Sequence, residues 1–162
     1  MKKYIGVQLV EATLATKYSG EGYKDFVYPD EWPMSMEDCN RYVEPATSKE
    51  SGYEVAYPNA YGAWVSKELF EKAYLQVGDN NTIEEQNINE FIASYDVSQW
   101  GDKTTVVHAT LVNGFIITES SSCVDPANFD MSIGEGICKE HIHNKLWSML
   151  GFMLQTGLKG VK

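Results

Sequence analysis

The sequence predicts an α+β protein: a small β-rich N-terminal module with one helix, then an antiparallel β-hairpin followed by an amphipathic C-terminal helix. Two strand-like runs, Thr105–Leu111 and Phe115–Glu119, meet at Asn113-Gly114, whose residues accept the positive φ of a tight turn. After the polar loop Ser120–Asp130, apolar residues recur at three- and four-residue steps, which is typical of a helix facing a core: Ile137, Cys138, Ile142, Leu146, Met149, Leu150 and Met153. The first half is rich in tyrosine and has short alternating runs, which favour strands.

The beginning of the chain predicts two strands and a short helix. Tyr4–Ala12 alternates between two faces and predicts a strand, residues 13–22 predict a loop, and Gly22–Pro29 predicts a second strand ended by its proline. Pro33–Val43 predicts one or two helical turns capped by Ser35.

A hairpin and a helix complete the first module. Gly52–Pro58 and Tyr61–Val65 read as the two arms of the hairpin, and Ser66 precedes a helix predicted over Lys67–Leu75. The inward side chains of that helix are expected to be Leu69, Phe70, Ala73 and Tyr74.

An acidic stretch divides the chain. Residues 78–92 are polar and predict a linker between a module at 1–77 and a module at 93–157, although Ile83, Ile88 and Phe91 also allow a short helix there. Ala93–Val97 favours a further strand.

Composition limits the possible classes of function. The chain has 162 residues, a net charge of −10 and no apolar run near the roughly 20 residues that a membrane span needs. A field of that sign repels phosphate backbones, so we expect no general nucleic-acid binding and no membrane association. Three widely spaced cysteines favour reduced thiols in a cytosol, so we expect a cytoplasmic location.

The C-terminal helix is the expected place for an anion. The formal charges of residues 133–162 sum to +2, whereas those of residues 78–102 sum to −6. Gly134 and Gly136 are predicted to open the helix, where free N–H groups and the helix dipole favour an anion. His141 and Lys145 lie four residues apart on one face and would donate to it, and Phe129 or an N-terminal tyrosine would stack on a base. The alternatives are close helix packing at Gly134 and a half-buried structural histidine at His141.

Few features of the sequence favour a catalytic site or a metal site. Cys138, His141 and His143 lack a paired Cys-x-x-Cys or second histidine pair at ligand spacing, so we predict no metal and no cofactor. Cys123 with His108 is a possible nucleophile pair, but nearby acidic residues disfavour its thiolate. The sequence therefore predicts a protein that is not an enzyme.

The C-terminal third resembles a family of small proteins of tailed phages and prophages. The resemblance rests on His108-Ala109, Gly114-Phe115, Ser122–Pro126, Asn128–Asp130, Ile133-Gly134, Lys145–Trp147 and Gly151-Phe152. The loop and helix also look like a distant relative of the first-described Thoeris anti-defence proteins, which sequester cyclic-ADP-ribose-type immune signals. That likeness places His141 and Lys145 where those proteins carry basic residues, although replacing arginine weakens bidentate phosphate contacts.

The first half resembles a small N-terminal module of phage proteins. The similar residues are Tyr4–Gly6, Gly52–Tyr57 and Tyr61–Tyr74, with Ser66 where proline is common. This module precedes unrelated C-terminal modules in phage proteins, including the second Thoeris anti-defence type, and implies no chemistry.

Two hypotheses of function follow. In the first, a homo-oligomeric phage accessory protein acts in anti-defence by binding and sequestering a small anionic nucleotide, such as a cyclic ADP-ribose-like signal or a cyclic oligonucleotide. In the second, the protein binds and inhibits a host defence protein through its Tyr/Trp-rich surface.

Overall fold

A computed structural model describes residues 7–21, 24–43, 46–58 and 61–161. Its contacts divide the chain into an N-terminal unit, Gln8–Leu75, and a C-terminal unit that contains Gln76–Lys162. Each unit has its own antiparallel sheet and helices, so the predicted α+β class is confirmed. The predicted module boundaries stay predictions.

The N-terminal unit is a four-stranded sheet with two short helices. Its strands follow the order β2-β1-β3-β4, and every neighbouring pair is antiparallel. The elements are β1 (Glu11–Ser19), β2 (Phe26–Pro29), α1 (Met36–Asp38) with a wide helical turn at Cys39–Val43, β3 (Ser48–Ala56), β4 (Gly62–Ser66) and α2 (Lys67–Ala73).

The prediction of a loop at residues 13–22 was wrong, because β1 occupies Glu11–Ser19. The predicted strand at Tyr4–Ala12 overlaps β1 only at its end, and residues 4–6 lie outside the described part of the chain. Pairing with β3 explains the difference, since all nine residues of β1 have a partner in that strand. Ala15 is fully buried there, and its carbonyl accepts a hydrogen bond from the indole N–H of Trp64 at 3.3 Å.

The other short elements largely agree with the sequence. Ser35 caps α1 by accepting a hydrogen bond from the backbone N–H of Asp38 at 3.0 Å. In α2, Phe70 stacks on both Tyr53 and Tyr74. The expectation that Leu69 and Ala73 face inward was wrong: both are exposed, Leu69 to 62%, because this two-turn helix presents the Phe70 face to the sheet.

The C-terminal unit is a three-stranded sheet covered on one face by a long helix. The strand order is β5-β6-β7, all antiparallel. The elements are α3 (Glu85–Phe91), β5 (Ile92–Trp100), β6 (Thr104–Leu111), β7 (Ile116–Ser122), a 3₁₀ turn at Pro126–Asn128 and α4 (Met131–Lys159). Residues 78–92 thus contain the short helix that their apolar residues allowed, and its Ile88 is fully buried.

The predicted hairpin and C-terminal helix are confirmed. Gly114 supplies the positive φ of the turn, at 83°, between β6 and β7. Along α4 the buried residues recur exclusively at four-residue steps: Gly134, Cys138, Ile142, Leu146 and Leu150. This row packs on the inner face of the sheet, where the buried side chains are Thr105, Val107, Ala109, Leu111 and Ile117. Ile137 and Met149, which the periodicity also placed on the stripe, lie beside this row and are partly exposed.

Candidate functional site

The N-terminus of α4 is occupied by a side chain of the protein itself. Asp130 is the cap, and its Oδ1 accepts hydrogen bonds from the backbone N–H of Ser132 at 2.8 Å and of Ile133 at 3.4 Å. Together with the Ser132 hydroxyl, these donors lower the pKa of the Asp130 carboxyl. The prediction that Gly134 and Gly136 open the helix was wrong, because the Asp130 cap starts it at Met131.

The two glycines have different surroundings. Gly134 is buried, and a Cβ added there would lie 2.7 Å from the Cβ of Thr105 and still nearer its Oγ1. Thr105 is fully buried, and its hydroxyl has no hydrogen-bond partner among the described residues. A Cβ at Gly136 would meet nothing within 4 Å. Gly134 therefore serves close packing of α4 on β6, which is the alternative that the sequence left open.

His141 and Lys145 converge on one carboxylate. Nδ1 of His141 lies 3.7 Å from Oε2 of Glu119 on β7, and Nζ of Lys145 donates to Oε1 of the same carboxylate. The Glu119 side chain is only 15% exposed, whereas the side chains of His141 and Lys145 are more than half exposed. The Glu119 carboxylate therefore takes the place beside His141 and Lys145 that the sequence analysis predicted for a bound anion.

Phe129 is not part of this charge cluster: no hydrogen bond among the described residues joins it to His141, Lys145 or Glu119. It follows the 3₁₀ turn, is half-buried, and donates its backbone N–H to the carbonyl of Pro126 at 3.0 Å. Of the five predicted ligand-binding residues, His141 and Lys145 thus share an ion-pair partner, Glu119, in the described part of the chain.

A second histidine forms a network that the sequence analysis did not anticipate. Nδ1 of His143 lies 3.4 Å from a carboxylate oxygen of Glu85, and its Nε2 lies 3.2 Å from the hydroxyl of Tyr95. Burial raises the pKa of the Tyr95 hydroxyl, while Lys139 above its ring opposes that shift. These contacts tie α3, β5 and α4 together. Sequence patterns gave no signal for them, because Glu85 fell in the segment read as a linker.

Cys123 and His108, the possible nucleophile pair, make hydrogen bonds to other residues. His108 shares a hydrogen bond of 2.8 Å with Thr118 on the neighbouring strand, and the thiol of Cys123 donates to the carbonyl of Asp125 at 3.1 Å. Burial, followed by the charge of Glu119, raises the pKa of the Cys138 thiol. Within the described ranges, no group of three or more His, Cys, Asp or Glu side chains is arranged to hold a metal ion.

The N-terminal unit exposes large apolar side chains, and one of them, Trp32, borders a shallow depression. Trp32 is 66% exposed and borders the depression, and Met36 four residues later is 78% exposed. The other lining residues are Thr13, Phe26, Val27, Tyr28, Pro29 and Glu54. The Tyr28 hydroxyl donates to the carbonyl of Pro33 at 3.0 Å, which holds the segment after β2 against that strand.

The comparison with known families concerns the other unit. Residues 80–158 match the family model described as Phage protein (N4 Gp49/phage Sf6 gene 66) family. The match runs from the turn before α3 almost to the end of α4, and it supports a phage protein family for this half of the chain. Comparison with curated proteins and with solved structures gave no match. Among the described helices, none is both long and apolar enough to cross a membrane.

Proposed function

We propose that this chain is a non-enzymatic phage accessory protein that acts in the host cytoplasm by binding a host protein through its N-terminal unit. The phage part of the proposal is supported by the family match of residues 80–158. The binding part depends on one observation: the indole of Trp32 is two-thirds exposed at the rim of a depression lined by other aromatic residues.

Tryptophan side chains often contribute a large part of the binding free energy at protein interfaces. Single apolar residues on a surface are ordinary, but tryptophan and tyrosine are enriched among the residues that dominate binding energy. Here Trp32 lines the depression together with Tyr28, and Met36 is exposed four residues later in the chain. A partner side chain entering that depression would bury apolar area and displace water from the indole.

Sequestration of a nucleotide is the competing proposal, and the local charges weigh against it. An anion at the start of α4 would meet the Asp130 carboxylate, and an anion at His141 and Lys145 would have to replace Glu119. Thermal-shift measurements with cyclic ADP-ribose isomers and cyclic dinucleotides test this directly, since a ligand that binds the native state raises its stability. A shift that disappears in His141→Ala/Lys145→Ala would replace our proposal with sequestration.

The test of partner binding compares two exposed tryptophans. Trp32→Ala removes the proposed anchor, whereas Trp100→Ala removes an indole that is 76% exposed in the C-terminal unit. We expect tagged wild type and Trp100→Ala to recover the same host protein from lysate, and Trp32→Ala to bind it about 30-fold more weakly, the size of a tryptophan hot spot. Circular dichroism verifies that all three proteins fold. Equal recovery by both variants would contradict the proposal.

The homo-oligomer also stays a prediction. Light scattering coupled to size-exclusion chromatography measures it, and a monomer at all concentrations would refute it.

A further inference from the structure

We propose that the depression beside Trp32 receives a lysine or arginine side chain from a basic segment of the partner. This inference rests on the proposed function and specifies the chemistry of the protein that is bound. Its basis is the combination of an exposed indole with carboxylates of the same unit that make no ion pair among the described residues.

The sheet register places the relevant residues on one face. Thr13 of β1 pairs directly with Glu54 of β3, and Pro29 of β2 pairs with Ala15, two residues further along β1. Because alternate residues share a face, Thr13, Pro29 and Glu54 point to the same side of the sheet. Trp32 borders the same depression, so an indole and a carboxylate line one recess. That pairing suits a cation, which is attracted both to the face of an aromatic ring and to the negative charge.

Glu50 shares this face and lies opposite Lys17 in the register, but three other carboxylates of this unit lack a cationic partner among the described residues. Glu11 and Glu54 share the face, and Glu31 immediately precedes Trp32; none of the three makes an ion pair within the described residues. The lysine that shares this face is already engaged: Nζ of Lys17 lies 2.9 Å from a carboxylate oxygen of Asp25 and 5.2 Å from the centre of the Trp64 ring.

Charge complementarity selects the occupant. Residues 30–38 contain four acidic residues and no lysine or arginine: Asp30, Glu31, Glu37 and Asp38. A field of this sign repels nucleic acid and anionic membranes, and it attracts a basic polypeptide. An arginine or lysine also brings an apolar stem, which would cover the exposed indole while its charged end reaches Glu54.

The experiment uses the full chain and a defined probe. A fluorescein-labelled peptide of alternating arginine and serine is titrated at low and physiological salt, beside a peptide in which citrulline replaces every arginine. Citrulline keeps the shape of arginine and removes its charge. The variants are Trp32→Ala and Glu54→Gln, with Trp100→Ala and Glu140→Gln as matched controls in the C-terminal unit.

We expect fluorescence polarisation to show binding of the arginine peptide to wild type and to both controls, with affinity falling as salt rises. Trp32→Ala should weaken binding about tenfold and Glu54→Gln about threefold, as for a cation–π contact and one surface charge pair. The citrulline peptide should not bind.

Several results would overturn the inference. Equal weakening by Glu140→Gln and Glu54→Gln would mean general attraction to an acidic protein, and binding of the citrulline peptide would mean that charge is not recognised. If no basic peptide binds while Trp32→Ala still abolishes capture of the host protein, this inference fails and the proposed function stands. If Trp32→Ala leaves that capture unchanged, the proposed function fails whatever the peptide does.

Discussion

The two units use their apolar residues differently. In the part of the chain that the structure describes, the C-terminal unit buries a continuous row of side chains between α4 and the sheet, whereas the buried hydrophobic residues of the N-terminal unit are Ala15, Tyr18 and Val55. Both units also expose large apolar side chains, for example Trp32 and Met36 in the N-terminal unit and Trp100 and Phe152 in the C-terminal unit. The difference therefore lies in the buried residues: the long row under α4 predicts that the C-terminal unit gains more stability from its core than the N-terminal unit does.

The largest effect that tests this comparison comes from two leucines. Leu146→Ala should lower the free energy of unfolding by about 2–5 kcal/mol, because it opens a cavity under α4 where the side chain is fully buried. Leu69→Ala makes the same chemical change at a side chain that is 62% exposed, and should change stability by less than about 0.5 kcal/mol. Urea unfolding followed by circular dichroism measures both. Similar losses would remove the distinction between the two units.

A smaller effect separates the two glycines of α4. Gly134→Ala places a methyl group against Thr105 and should cost about 1–3 kcal/mol, the usual range for overpacking. Gly136→Ala has open space and should gain about 0.5–1 kcal/mol from helix propensity. Thermal unfolding of both variants checks the opposite signs. A gain at both positions would show that α4 does not need close contact with β6 at Gly134.

The smallest effect concerns the cap of α4 and its dependence on pH. Hydrogen bonds lower the pKa of Asp130 in the folded protein, so its stabilising contribution is present above the unfolded carboxyl pKa of about 4 and is lost as pH falls through the folded value. The difference in Tm between wild type and Asp130→Ala should therefore be largest near neutral pH and shrink in acid. Asp130→Asn keeps a neutral acceptor and should show a flatter pH dependence. A constant difference between wild type and Asp130→Ala would exclude this carboxylate as the titrating cap.

Local signals predicted the elements that depend on local rules. Asn113-Gly114 marked the hairpin, Ser35 marked the start of α1, and the apolar period from Cys138 to Leu150 marked α4. These residues act within a few positions of their partners, so the chain itself carries the information.

Elements that depend on distant partners were harder to predict. Most residues of β1 are small or polar, with Leu14 and Tyr18 as the exceptions, and they form a strand because β3 supplies a partner for each of them. The predicted anion site failed to anticipate Glu119, since nothing in the sequence shows that a β7 carboxylate lies under His141 and Lys145. Asp130 was visible in the sequence as a capping residue type, and giving it precedence over Gly134 would have placed the helix start correctly.

The most direct test compares the two candidate surfaces in one assay. Tagged Trp32→Ala and His141→Ala/Lys145→Ala proteins are incubated with the same host lysate, and the recovered partner is measured by quantitative mass spectrometry. We predict that Trp32→Ala loses the partner and that the double variant retains it at the wild-type level. Loss of the partner from the double variant, with retention by Trp32→Ala, would contradict recognition by the N-terminal unit.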